Sequence, residues 1–349
     1  MVPTSSEVDT PSRLRALLDA ARGRRVVVLG DLIADEFVSG RIARVSREAP
    51  VLILEYDSTE ILPGGAGNAA ANVAALGGIA ALVALAGRDD AGRRVLAACP
   101  ARVDTAAVVR PAGYHTPVKT RILAGGVHSA KQQVVRIDRR TREPIADAWR
   151  ESWLRAATRA LRHADAVLVS DYGSGLLSPA VVARLVAPLR SGTRCVPVLV
   201  DSRYDLLRFR GLTACTPNES EVEQALGVTI GDQPRALERA GRAILARTRM
   251  DAVLVTRGSR GMALFEPGAP TVHIPIYGSD EIADVTGAGD TVMATLTLAL
   301  AAGASLRSAA RLANYAGGLV VMKRGTATVS ARELARAVSA DAAGRRAEA

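Results

Sequence analysis

Asp284–Val285–Thr286–Gly287–Ala288–Gly289–Asp290–Thr291 is the stretch on which the reading of this 349-residue chain turns. An apolar run from Val292 to Ala302 follows and predicts a helix that begins at the glycines. The first amides of a helix have no intrahelical partner, and the helix dipole favours negative charge beside them. The pattern therefore aims the amides of Gly287, Ala288 and Gly289 at one anion. Asp290 would stand at the edge of that cradle, within reach of a hydroxyl attacking a phosphate. A Gly-rich turn with Asp as helix cap accounts for the same residues equally well. The rest of the chain has to decide.

Outward from that stretch, short apolar runs alternate with helical patterns. Arg25–Asp31, Ala166–Asp171, Val196–Asp201 and Ala252–Thr256 read as buried strands, and 146–163, 179–189, 219–226 and 235–249 as helices. Continuous apolar strands separated by helices predict an α/β fold, a doubly wound, mostly parallel sheet covered on both faces. Asp31, Asp171, Asp201 and Thr256 stand at strand ends, the edge where open α/β sheets build their sites.

Residues 11–22 predict a leading amphipathic helix within an N-terminal extension, 1–24. The main domain is expected over 25–335, with a frayed tail, 336–349. Two segments, 37–62 and 109–138, alternate apolar with polar residues and read as strands of a small second sheet. Such a sheet needs a partner surface. It is expected to form a lid over a site and a contact in a homodimer.

Composition removes several function classes. Cys99, Cys195 and Cys215 show no metal-ligand spacing and are too few for a disulfide framework, so a reducing cytoplasm is the expected compartment. No apolar run reaches the ~18 residues of a membrane span. The net charge of +10 raises nucleic acid as a partner, but arginines are spread along the whole chain and aromatics make up only 3% of residues. A basic pocket for a small polyanion suits the charge better.

A second Gly-rich turn, Pro63–Gly64–Gly65–Ala66–Gly67–Asn68, opens another helical pattern and lacks the Gly-Lys-Ser/Thr of a Walker loop. This turn, Thr216–Pro217–Asn218–Glu219–Ser220–Glu221, Thr256–Arg257–Gly258–Ser259–Arg260–Gly261 and Asp284–Asp290 together resemble, in order, four motifs of the ribokinase-like (PfkB) sugar kinases. Gly30–Asp31, Arg44–Val51, Gln132–Gln133 with Arg136 and Asp138, Ser170–Asp171–Tyr172 and Gly325–Val329 are similar to the heptose 7-phosphate kinases of the ADP-heptose pathway. Some of those carry a fused nucleotidyltransferase domain, whereas this chain resembles the stand-alone kinase.

The resemblance implies roles. Asp290 would be the base for the anomeric hydroxyl, with Gly287, Ala288 and Gly289 as anion hole. Asn218 and Glu221 would organise Mg²⁺ through water. Thr256, Gly258 and Gly261 would hold the ATP phosphates, and Asn314 would line the adenine pocket. Asp31, Gly64, Gly65 and Asn68 would bind sugar, and carbonyls near Asp284 and Thr286 would hold a monovalent cation such as K⁺. Arg44, Arg47, Lys119, Arg121 and Lys131 are the cations on and near the lid that could meet a second phosphate on the sugar. Three departures touch the sugar end: Ser174 stands where a Lys is usual, Asp201–Ser202–Arg203 replaces Asp-Pro-Lys, and Arg47 stands where a Pro is common. A kinase acting at a primary hydroxyl, as in ribokinase or phosphofructokinase relatives, and a non-catalytic sugar- or nucleotide-binding protein are the alternatives.

Overall fold

The computed structural model describes residues 9–125, 131–140, 144–191, 195–278, 284–323 and 325–347. The strands are β1 Arg25–Gly30, β2 Leu32–Val45, β3 Leu52–Gly65, β4 Ile79–Val83, β5 Val103–Asp104, β6 Val118–Gly125, β7 Gln132–Arg139, β8 Ala166–Asp171, β9 Val198–Ser202, β10 Ala214–Cys215, β11 Ala252–Thr256, β12 Met262–Phe265 and β13 Val272–Ile274. The helices are α1 Pro11–Ala20, α2 Ala66–Ala75, α3 Asp90–Ala97, α4 Asp147–Leu161, α5 Pro179–Ser191, α6 Glu219–Leu226, α7 Pro234–Thr248, α8 Ala288–Ala301, α9 Leu306–Val321 and α10 Ala331–Ala347.

Nine strands form one sheet in the order β13-β12-β11-β10-β9-β8-β1-β4-β5. Pairing is parallel from β11 to β5, and only the β11–β12 and β12–β13 contacts are antiparallel. Side chains alternate across a strand, and β1 shows the consequence. Val26 and Val28 enter one core with α2, α8 and α9, while Val27 and Leu29 enter the other with α4, α5 and α7. Both faces are covered, which is why these strands are apolar without interruption.

Helix α8 lies inside the first core, with every residue from Asp290 to Leu300 buried. Its thirteen-atom hydrogen-bonded turns begin at Gly287, whose φ of 75° lies in the left-handed region that glycine adopts without penalty. The strands of the main sheet thus end where α8 starts.

The second sheet has the order β3-β2-β6-β7. It is larger at the hinge and smaller upstream than the pattern 37–62 and 109–138 predicts. Strands β2 and β3 pair from Leu32↔Gly65 outward. By contrast, Val109 bridges to Leu85 beside the main sheet and the lid strand begins only at Val118. Pro111 and Pro117 account for the delay, because proline cannot donate to a ladder. The ends of the chain also differ from expectation. Leu14 and Leu18 of α1 are buried in the first core, so this helix is built into the domain. Where a tail is expected, over 336–349, α10 continues to Ala347, and Tyr315 donates its hydroxyl proton to Asp341 at 2.5 Å.

Candidate active site

A cleft of about 580 Å³ opens where the strand ends, the α8 N-terminus and the lid meet. Its walls include Thr216, Asn218, Glu221, Thr256, Gly258, Gly261, Thr286, the turn Gly287–Asp290 and Asn314 from the core, and Lys119, Arg121 and Arg136 from the lid. Residues separated by more than 170 positions in sequence are therefore neighbours here.

Asp290 is 5% exposed at the cleft wall. Asn68 donates its side-chain N–H to Asp290 Oδ2 at 2.8 Å, and the Tyr172 hydroxyl donates to Oδ1 at 3.2 Å. Burial pushes the Asp290 carboxyl up to about 6, while the two donors hold it back. Asn68 in turn is 1% exposed and accepts from Asn72 Nδ2, with Thr291 bonded to Asn72. A β-carbon at Gly287 would collide with the Asn68 amide. The second Gly-rich turn thus packs beneath the first and fixes its carboxylate.

The anion cradle departs from the simplest expectation. Ala288 donates its N–H to Val285 O at 3.2 Å, closing the turn that leads into α8. The Gly287 and Gly289 amides line the cleft and make no hydrogen bond among the described residues.

Asn218 and Glu221 also serve the backbone. Asn218 caps α6, its side chain accepting from Glu221 N, while Glu221 Oε2 accepts from Asn218 N at 2.9 Å. One Glu221 oxygen is left for the cleft, where burial raises the carboxyl above its ordinary value. Asp201 lies beside it, pushed strongly upward by burial and then by Glu221, Asp290 and Asp171. Crowded, desolvated carboxylates facing a cleft are a donor set that a hard cation relieves. Among the described residues no three acidic, His or Cys side chains converge to hold a metal by themselves.

Asp31, Gly64 and Gly65 sit at the lid hinge. Gly65 has φ 57°, and a β-carbon there would lie 2.5 Å from Asp31 O. Asp31 accepts from Tyr172 N at 2.9 Å and from Ser174 N and Oγ, and burial raises its carboxyl to about 6. Asp284 accepts from Thr286 N at 2.9 Å and Gly325 N at 3.0 Å, and lines a hollow under the lid that shares Thr286 and Arg121 with the main cleft. Arg121 is ion-paired with buried Asp35, and Lys131 with Asp57. Arg44 and Arg47 are exposed at the far end of the lid and line neither the cleft nor that hollow. Tyr172 has no role in the sequence reading beyond its place in a family-like run, yet it joins Asp31 to Asp290. The signal was its position just past the end of β8.

The pfkB family carbohydrate kinase model matches residues 24–333. The chain belongs to the pfkB family of carbohydrate kinases. It is a phosphotransferase with an alcohol group as acceptor. It is 40% identical over 328 residues to the bifunctional protein HldE of Trichlorobacter lovleyi, covering 93% of this chain and 65% of that protein. It is 43% identical over 324 residues to the HldE of Caulobacter vibrioides, covering 92% and 64%. The chain thus spans just under two thirds of the length of these relatives. Its fold is similar to that of an Arabidopsis thaliana ribokinase complexed with ribose and ATP, at TM-score 0.67, 20% identity and coverage of 91% and 99%.

Proposed function

We propose that this kinase transfers the γ-phosphoryl group of ATP to the anomeric C1 hydroxyl of D-glycero-D-manno-heptose 7-phosphate, giving the 1,7-bisphosphate and ADP. The observation that carries the reading is Asp290. It is a buried carboxylate with a pKa near 6, held by Asn68 and Tyr172 at the start of α8. A base of that strength is ionised at neutral pH and is still able to accept a proton. The acceptor oxygen attacks the γ-phosphorus, its proton passes to Asp290, and the bond to the leaving ADP oxygen breaks. Charge on the transferred group meets the open amides of Gly287 and Gly289 and the α8 dipole.

Thr256, Gly258, Gly261 and Asn314 form the nucleotide end of the same cleft. The free oxygen of Glu221, with Asn218 and Asp201, suits Mg²⁺, which keeps waters and takes its remaining ligands from phosphates. When bound, that ion neutralises phosphate charge. A monovalent cation such as K⁺ is assigned to the turn that Asp284 organises. Heptose 7-phosphate is supported by the likeness to the HldE proteins across nearly the whole chain. Self-association through the lid is supported by Val45, Leu52, Tyr56, Val135 and Ile137 on that sheet and by Val51 in the β2–β3 connection, each 45% exposed or more. A cytoplasmic setting is in keeping with its free cysteines. The test is a panel of sugars and sugar phosphates assayed for ATP-dependent ADP release. Heptose 7-phosphate should exceed free heptose by at least ~tenfold in kcat/KM, the worth of one charge-assisted phosphate contact. Equal rates would overturn the substrate assignment.

A further inference from the structure

Two hollows flank the catalytic neck, and their charges differ. The one under the outer lid contains Arg121 and Lys131, but each is already paired with an aspartate, and Glu60 and Asp284 add negative charge. The other is a chamber of about 100 Å³ beside Asp31, with Lys119, Tyr172, Ser174, Arg203 and Arg140 in its walls. It is much smaller than the main cleft, the scale of one tetrahedral oxyanion rather than a nucleotide.

Lys119 and Arg203 are the two cations that line both this chamber and the main cleft. Neither makes an ion pair or a side-chain hydrogen bond among the described residues; Lys119 lies 4.6 Å over the Tyr172 ring and Arg203 5.9 Å over Tyr204. Burial pushes the Lys119 ammonium below its ordinary pKa against the opposing pull of Asp35, with Arg121 and Arg203 adding to the fall. Arg203 is exposed and Lys119 half-buried; Asp201 and Glu221 act on the first and Asp35 on the second only through space, so the N–H donors of both stay open to an oxyanion.

Tyr172 measures the distance that counter-charge must span. Its hydroxyl meets Asp290 and its backbone N–H meets Asp31. An acceptor that presents a hydroxyl to Asp290 and extends along this side chain brings its other end to the chamber. We infer that the chamber beside Asp31 is the subsite for the phosphate already on the sugar, held by Arg203 and Lys119 rather than by the lid cations Arg44, Arg47 or Lys131. Ser174, short and bonded to Asp31, leaves the space in which that phosphate sits. The inference rests on the proposed sugar-phosphate substrate and adds the residues that select it.

The experiment compares kcat/KM for heptose 7-phosphate and free heptose in the parent, Arg203→Gln, Lys119→Met and Arg47→Gln proteins. Calorimetric titration of both sugars without ATP gives a second readout independent of turnover. Arg203→Gln should lower the preference for the phosphorylated sugar by ~ten- to hundredfold, as loss of one bidentate contact predicts. Lys119→Met should lower it by a smaller factor, and Arg47→Gln should keep the parent ratio. A parent without preference would sink the substrate assignment and this subsite with it. A parent preference that survives both Arg203→Gln and Lys119→Met would overturn the subsite alone. Equal losses on both sugars would also overturn it, placing Arg203 on the transferred group.

Discussion

Asp31 is the single residue between β1 and β2, and the two strands it joins could hardly differ more. β1 is buried along nearly its whole length between two cores, whereas the outer end of β2, Arg41–Val45, is exposed. The difference separates two tasks. The main sheet and α8 hold Asp290 through Asn68 and Tyr172, all fixed by packing, so the groups that would move the proton have little freedom. The lid contributes Lys119, Arg121 and Arg136 from a sheet with few covered faces, so its position depends on what lies beneath or beside it. We assign the chemistry to the rigid half, and the choice of acceptor to the lid, its hinge and Arg203 at the end of β9.

The largest effect should come from the rigid half. Asp290→Asn keeps the hydrogen-bonding shape but removes the base, and should lower kcat by at least ~10² while nucleotide binding persists. Near-normal turnover in the folded variant would take Asp290 out of that role. The lid should respond differently. Lysines at Val135 and Ile137 place charge on two half-exposed positions of β7. Light scattering should then report a dimer for the parent and a monomer for the variant, and the sugar KM should rise by about tenfold with kcat largely kept. An unchanged mass would detach the lid from self-association.

The smallest effect sharpens the core side. Asp290 must be ionised to act, so the rate falls as pH drops through its raised pKa of about 6. Tyr172→Phe removes a donor that favours the ionised form, so the fall should move to higher pH. A sugar phosphate itself titrates near pH 6, so the shift between the two proteins on one substrate carries the test. Coincident profiles would mean that the Tyr172 hydroxyl does not tune Asp290.

Much of the rigid half was legible from residues alone. Uninterrupted apolar runs marked β1, β8, β9 and β11 because strands buried on both faces leave no room for polar positions. The Gly287–Asp290 turn was legible because few sequences place such a turn before a wholly apolar helix. What sequence reading missed depends on tertiary neighbours. Asn68 was expected on the sugar, but its burial behind Asp290 requires α2 and α8 to pack together. Asn218 and Glu221 could be read as ligands, yet their capping of α6 uses most of their hydrogen-bonding capacity. Arg203 was visible only as a departure from a familiar run. That it lines both the cleft and the chamber, with no ion pair among the described residues, is legible only in the folded chain. The lid boundaries slipped because Pro111 and Pro117 interrupt an alternating pattern that otherwise continues.

The most direct measurement is a phosphorus NMR spectrum of the product formed from ATP and heptose 7-phosphate by the parent protein. The account predicts one new phosphate resonance coupled to the anomeric proton, rising in step with ADP and growing at least ~10²-fold more slowly with Asp290→Asn. A new phosphate on any other carbon, or ADP released with no phosphorylated sugar, would contradict it.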